Sequence, residues 1–541
     1  MPVTPTYPGV YIEELPSGVR TITGVSTSVT GFIGRARRGP VDKACVINSY
    51  PDYERIFGGL WEESSLSYAV YQYFLNGGSQ AVIVRVFNDL GDTIEPAEII
   101  LPEDGGAPGD TDQLDLVAVS PGSWGSALLA RVDYDTVSPA DTAIFNLKVK
   151  DTNTGLIETH LNLSVTSTDA RFVTKVLSEE SALIRILNVG NFRPDDTDPP
   201  SAGADAFDPP AQSNAEVATT VTDGGVLTAT LIQGSGVDPK TGLFAFDRAD
   251  IINLLCVPPY TVLDGAGVPL PNIVGNEVLN GDVQDSVRQD ALAYAKNRRA
   301  IFIVDPPSNW TTKDDPDPDA LGISLDENAA LYFPRILSPD TLQEGRLGTF
   351  VPCGVMAGLM ARTDAQRGVW KAPAGIEASL KGVPDLSVHL TDAENGELNP
   401  RGINCLRTFK GVGRVAWGAR TMRGSDILAD QWKYLPVRRL ALFLEESLYR
   451  GSQWVVFEPN DAPLWAQIRL NFGGFMHNLF RQGAFQGSTP KDAYLVKCDS
   501  ETTTQNDINL GMVNIVVGFA PLKPAEFVII KIQQLAGQVE A

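Results

Sequence analysis

The residues able to do acid–base, nucleophilic or metal chemistry are few and scattered along the chain. Three histidines, His160, His389 and His477, stand far apart, with neither a His-x-x-x-His nor a Cys-His spacing for a metal. The five cysteines, Cys45, Cys256, Cys353, Cys405 and Cys498, are odd in number and form no C-x-x-C pair. They read as buried reduced thiols rather than as a disulfide framework. Glu445 and Glu446 are adjacent, so on a helix their carboxylates point about 100° apart, a poor acid–base pair. Gly31-x-x-Gly34 lacks the lysine and the spacing of a phosphate loop and reads as turn and packing glycine. The run Asp314-Asp315-Pro316-Asp317-Pro318-Asp319 offers carboxylates, but it has prolines and lacks the central glycine and terminal glutamate of a calcium loop. Arg362-Thr363-Asp364, with Arg367 and Trp370, mixes charge and aromatic surface as an active site would. Its simpler reading is a structural ion pair of Asp364 with Arg362 or Arg367, and Trp370 as a core anchor. No nucleophile elbow is present. The expectation is a chain with no catalytic, cofactor-binding or metal residues, and so no enzyme.

The elements around these residues belong to a large, ordinary globular chain. Its 541 residues predict three or four domains or lobes, and 43% hydrophobic with 20% charged residues exclude disorder. No apolar run reaches the roughly 18 residues of a membrane helix. Met1-Pro2-Val3-Thr4 opens no signal sequence, so a cytoplasmic site of synthesis is expected. A net charge of −23 argues against nucleic acid as partner. The charge is uneven: 401–541 carries a net +4, and 91–250 a net −17. That asymmetry fits an inner surface meeting partners and an outer surface meeting water; simple solubility explains the acidic half equally well.

The stretch Lys433–Asp461 organises the C-terminal part. Pro436 suits a first helical position, Gly451 a left-handed cap, and Val437, Leu440, Ala441, Leu444 and Leu448 recur on one face. Trp454-Val455-Val456-Phe457 reads as a short buried strand. Asp461 or Asn460 then caps a helix over 462–482 that buries Trp465, Ile468, Phe472, Phe475, Met476 and Leu479. Gln467, Asn471, Asn478 and Gln482, flanked by Arg469 and Arg481, form the opposite, polar stripe. Upstream, strands are expected over 25–36, 81–87, 251–257 and 300–304, with helices over 51–57, 66–75 and 282–296. Between them, 114–119, 128–134, 145–150 and 160–165 are short strands at the spacing of a sandwich. At the two ends, Val10-Tyr11-Ile12-Glu13 and Phe527-Val528-Ile529-Ile530-Lys531-Ile532 read as strands. The first has no obvious partner in its own chain, so it either folds back or adds to a neighbour's sheet edge.

The words of the sequence carry more than its periodicities. YPGVYIEE, GVSTSVTGFIGRARRGP, NGGSQAVIVRV, AGLMARTDAQRGVWKAPAG, RVAWGART, VRRLALFLEESLYRGSQWVVFEPND, TPKDAYLVKCD and APLKPAEFVIIKI together resemble contractile tail sheath proteins of myophage tails, R-type tailocins and extracellular contractile injection systems. The resemblance implies an α+β multidomain fold: a C-terminal α/β core domain with exchanged terminal strands, a mixed α/β middle domain, and an inserted β-rich outer domain. The expected divisions are 1–20 as an arm given to a neighbour, 21–95 with 246–385 as the mixed domain, 96–245 as the acidic insertion, and 386–541 as the inner core. It further implies a subunit that polymerises helically with itself around an inner tube protein, ends on baseplate and tail terminator or cap proteins, and contracts. The arm residues would be Val10, Tyr11, Ile12, Glu13, Phe527, Val528, Ile529, Ile530, Lys531 and Ile532. The tube-facing residues would be Gln467, Arg469, Asn471, Asn478 and Arg481, a stripe that is otherwise a solvated helix face. Neither nucleic acid nor membrane insertion is implied. A non-contractile shell or surface-layer protein would also self-associate and is the alternative.

Overall fold

The computed structural model describes residues 20–91, 95–102, 113–197, 207, 216–263, 279 and 281–531. Its centre is an eight-stranded sheet in the order β18-β17-β13-β12-β11-β1-β3-β2. The strands are β1 (Thr30–Gly34), β2 (Cys45–Ile47), β3 (Ala81–Arg85), β11 (Leu254–Cys256), β12 (Ile301–Val304), β13 (Ala329–Phe333), β17 (Ile403–Phe409) and β18 (Gly413–Ala416). The six inner strands run parallel, and antiparallel β2 and β18 close the edges. Wholly apolar strands such as AVIVR and IFIV follow from burial on both faces. Successive side chains feed opposite layers: Ile83, Ile301, Ile303 and Tyr332 go to one core, and Val82, Val84, Phe302 and Leu331 to the other.

The first layer holds α1 (Tyr50–Phe57) and α2 (Ser65–Leu75). Ser49 caps α1, Gly58 ends it at φ 88°, and Ser64 caps α2. The same layer holds α6 (Cys353–Arg367), the opposite face is covered by α4 (Ala229–Gln233) and α5 (Asp285–Asn297), and α3 (Val173–Glu180) packs in the inserted region. Helices α2 and α6 approach backbone to backbone: a Cβ on Gly354 would lie 2.1 Å from the Ala69 carbonyl oxygen, and one on Gly358 2.4 Å from that of Tyr73.

The expected strands over 25–36 and 251–257 shorten to β1 and β11, because the sheet pairs three to five residues of each. Segments 21–95 and 246–385 do share one sheet, but the sheet runs on through β17 and β18, so residue 386 does not end it. The inserted region forms two antiparallel sheets around Trp124, Phe145 and Leu163, one in the order Glu216–Val217, Leu128–Asp133, Ile144–Asp151, Ile157–Ser164 and one in the order Glu98–Leu101, Leu114–Ala118, Ile184–Asn188. Arg85 staples this insertion to the main sheet. From a buried position it donates to the carbonyls of Ala36 (2.9 Å), Gly39 (2.7 Å) and Pro121 (2.7 Å).

The C-terminal part packs α8 (Leu435–Gly451) against α9 (Ala462–Arg481) and the two-stranded sheet β19 (Tyr494–Lys497) and β20 (Val516–Phe519). A shorter helix, α7 (Asp392–Leu398), precedes them with a complete capping box at Thr391 and Glu394. Two expectations fail here. Gly451 is the last residue of α8 rather than a left-handed cap; its Cβ would sit 2.7 Å from Ile22, so close packing is what requires glycine. Trp454–Phe457 is no buried strand: a 3-10 turn spans Gln453–Val455, and Val456 and Phe457 are exposed. An apolar run of four cannot by itself tell a core strand from a turn.

Candidate assembly interface

Both chain ends take root in the C-terminal part. At the start, the Arg20 N–H donates to Asn471 Oδ1 at 3.0 Å, its guanidinium lies 4.7 Å over Trp454, and the Val25 N–H donates to Ser447 Oγ at 3.2 Å. Ile22 is buried between α8 and α9. Below it, Asp364 on α6 accepts two bonds from Arg439 on α8, at 2.6 and 2.9 Å, and a third from Thr27 Oγ1 at 2.6 Å. The sequence paired Asp364 with Arg362 or Arg367, its neighbours on the same helix. Instead Arg362 donates to the Ser379 carbonyl and Arg367 meets Glu377. A partner 75 residues away leaves no local spacing to read. Trp370 is half-buried against the C-terminal core, less of an anchor than its size suggests.

At the other end, Glu526 is held by Arg420 through two 2.7 Å bonds, and the Tyr434 hydroxyl donates to it at 3.3 Å. Arg420 also reaches the carbonyls of Asn399 and Gly424 and the Asp426 carboxylate. Burial alone would lower the pKa of its guanidinium; the bonds and charge of Glu526, with Asp426, outweigh that and hold it above its ordinary value. RVAWGART contained this arginine, but nothing in its spacing pointed to Glu526. Beyond Glu526 the described chain makes no strand with its own body. Phe527, Val528, Ile529 and Ile530 are 72, 81, 82 and 79% exposed, and Lys531 is exposed too. β19 and β20 form a sheet of two, so each keeps one edge without a strand partner among the described residues. Val10, Tyr11, Ile12, Glu13 and Ile532 lie outside the described residues.

The polar stripe on α9 is only partly a stripe. Gln467, Arg469, Asn478, Arg481 and Gln482 are exposed, and Arg469 donates to the Cys498 carbonyl. Asn471 is buried, turned inward to receive Arg20, with no partner for its Nδ2 among the described residues. Its position next to buried Phe472 puts it at the seam of the two faces, and the N-terminal segment decides which side it takes.

The sheet's C-terminal edge, where α/β folds hold ligands, is filled by the protein itself. Ser64 and Ser65 hydroxyls donate to the carbonyls of Arg35 and Pro259 across the gap between β1 and β11. Asp282 accepts from Ser308 N–H and Oγ and from Arg335, which in turn binds the Gly281 and Pro306 carbonyls. The space left beside Asp305 is about 10 Å3, room for one water at most. Burial pushes the Asp305 carboxyl up to about 7, against the opposing bond from Cys353 and the charges of Arg335 and Arg288. No group of three metal-ligating side chains occurs among the described residues, and no described helix is long and apolar enough to cross a membrane.

Comparison with known proteins falls on the same regions. Residues 263–422 match the phage tail sheath protein central domain, and 429–534 the phage tail sheath C-terminal domain. The tail sheath protein of Vibrio phage KVP40 is 31% identical over 127 residues, 23% of this chain and 18% of that protein. The tail sheath protein of Enterobacteria phage T4 is 28% identical over 156 residues, 28% of this chain and 22% of that protein. A putative prophage major tail sheath protein of Pseudomonas aeruginosa is 24% identical over 273 residues, 49% of this chain and 58% of that protein. The matched part thus spans less than two thirds of each relative. In fold, the helical sheath of the anti-feeding prophage in its contracted state covers 98% of this chain and 100% of its own at TM-score 0.54 and 22% identity. The sheath of an extracellular contractile injection system (PVC), also contracted, covers 98% of both chains at TM-score 0.53 and 22% identity. A sheath tail protein from Listeria innocua covers 93% of this chain and 96% of its own at TM-score 0.56 and 11% identity. Along one chain, then, stand a phage tail sheath central domain and a phage tail sheath C-terminal domain in that order, within a fold shared with solved sheath proteins.

Proposed function

We propose that this chain is the structural subunit of a contractile sheath, polymerising helically around an inner tube and shortening to drive that tube through a target envelope. The observation that carries the reading is the segment Phe527–Ile530. Four consecutive apolar residues stand in solvent just past the clamp at Glu526, and the chain also carries a two-stranded sheet whose outer edges take no strand among the described residues. A free chain gains nothing from that exposure; a neighbour's sheet edge converts it into ladder hydrogen bonds and buried area. The N-terminal arm, with Val10–Glu13, serves the same exchange from the other end. Exposed Gln467, Arg469, Asn478 and Arg481 on α9 face the tube. Contraction is the passage from a metastable array to one with more buried inter-subunit surface, the strand links staying closed while the bodies turn. At about 25 cal/mol per Å2, burial repeated over many copies supplies the work without nucleotide or catalytic turnover. Assembly takes place in the bacterial cytoplasm, onto a baseplate and up to a terminator.

Negative-stain electron microscopy tests this on the full chain produced alone and with a co-expressed tube protein. Hollow helical tubes are expected in at least the second case, and none after deletion of residues 1–15. Flat sheets or closed shells would replace the sheath by a shell protein, and normal tubes from the truncated chain would remove the arm mechanism.

A further inference from the structure

The turn after α8 contradicts its own sequence. Val456 has φ −66° and ψ 129°, Phe457 has φ 70°, and the Glu458 N–H donates to the Val455 carbonyl at 3.2 Å. That is a type II turn, whose third position asks for glycine or asparagine. Phenylalanine there is strained, since a bulky side chain disfavours the left-handed region. Packing within the chain does not compensate: Phe457 is 103% exposed, while its neighbours Trp454 and Val455 pack on the C-terminal core. Glu458 is exposed as well and forms no ion pair among the described residues. A strained, solvated benzyl group beside a free carboxylate is suited to a partner outside the chain.

A cavity of about 1030 Å3 has the complementary chemistry. Trp370, Trp417 and Tyr434 line it, together with Lys371 and Lys523, neither of which has a carboxylate partner among the described residues. Its other charged walls are already paired, Arg367 with Glu377, Arg407 with Asp392, and Glu526 with Arg420. We propose that Phe457 and Glu458 of one copy dock into the Trp370–Trp417 cavity of a second copy, benzyl on indole and carboxylate on ammonium. This contact rests on the sheath reading and adds to it a link that does not use the chain ends.

The test compares Phe457→Gly with the wild-type chain under conditions in which the wild type forms tubes. Glycine relieves the turn, so the variant is expected to melt no lower than wild type, while the concentration needed for tubes rises at least about tenfold. A lower melting temperature would show that the benzyl group serves the fold, and tube formation at the wild-type concentration would show that it serves nothing in assembly; either overturns the docking. With p-benzoylphenylalanine at 457 in assembled tubes of mixed isotope-labelled copies, photo-crosslinks are expected between copies, to peptides carrying Trp370, Trp417 or Lys523. Crosslinks confined to the tube protein, or to one copy, overturn the proposal. A wild-type chain that never polymerises overturns the sheath reading itself, and this contact with it.

Discussion

Glu526 closes on Arg420 across 106 residues of chain, and among the described residues it is the last point at which the C-terminal segment is held. The arginine side chain is fully buried and the glutamate 15% exposed, so the clamp is dry on one side and reachable on the other. Removing Arg420 with Met leaves Glu526 without its main partner and should cost about 3–5 kcal/mol. Glu526→Ala should cost less, about 1.5–3 kcal/mol, because Asp426 and two carbonyls still hold the arginine. Limited chymotrypsin digestion should then cut at Leu522 and Phe527, on either side of the clamp, faster than in wild type. Unchanged digestion would mean that the segment is held elsewhere.

Asp364 and Arg439 join the central sheet region to the C-terminal part, with side chains 6 and 3% exposed. Asp364→Asn keeps the shape and removes the charge, stranding a guanidinium in a dry site. A loss of about 3–5 kcal/mol is expected, seen as a lower denaturation midpoint. A variant with wild-type stability would show that Thr27 and solvent suffice to satisfy Arg439.

Gly354 lies where α6 touches the α2 backbone. Even Ala at this position pushes a methyl to 2.1 Å from a carbonyl oxygen, so the helices must part. Gly354→Ala should destabilise by about 1–3 kcal/mol or more, and Gly354→Val should prevent soluble folding. Circular dichroism melts measure the first, and expression yield the second.

Asp305 gives a pH signature with an unusual sign. Its folded pKa, about 7, exceeds its ordinary 3.8, so between those values the folded chain binds the proton that the unfolded chain has lost. The stability it contributes is therefore greatest at low pH and falls as pH rises to about 7, by at most about 4 kcal/mol. Asp305→Asn should be more stable than wild type at pH 8, with the gap closing towards pH 4. A gap independent of pH would place the carboxylate in its ionised form throughout.

Ile529 is exposed, so Ile529→Lys should leave the melting temperature of the free subunit unchanged. In assembly the same lysine would enter a buried ladder, and tubes should be lost. Tubes of normal length from this variant would exclude Phe527–Ile530 as a shared strand.

Much of the architecture was legible from local chemistry. AVIVR and IFIV announced buried strands, and Asp461 or Asn460 announced a helix start; both strands are where the pattern put them, and Asp461 is the cap. The family could be read from long sequence words, before any distance was known. What stayed hidden depends on residues far apart in sequence: Asp364 finding Arg439, Arg420 finding Glu526, and Asn471 turning inward to meet Arg20.

By itself, then, the sequence determined the elements and the kinship, because helix and strand periods, caps and turn residues act over a few positions. Only the tertiary structure decided which charges pair and which apolar run stays in water. WVVF and FVII look alike as sequence, yet the first splits into two packed residues and an exposed turn, and the second stands wholly in solvent. The difference lies in what surrounds each run: burial is a property of neighbours, and neighbours are set by the fold.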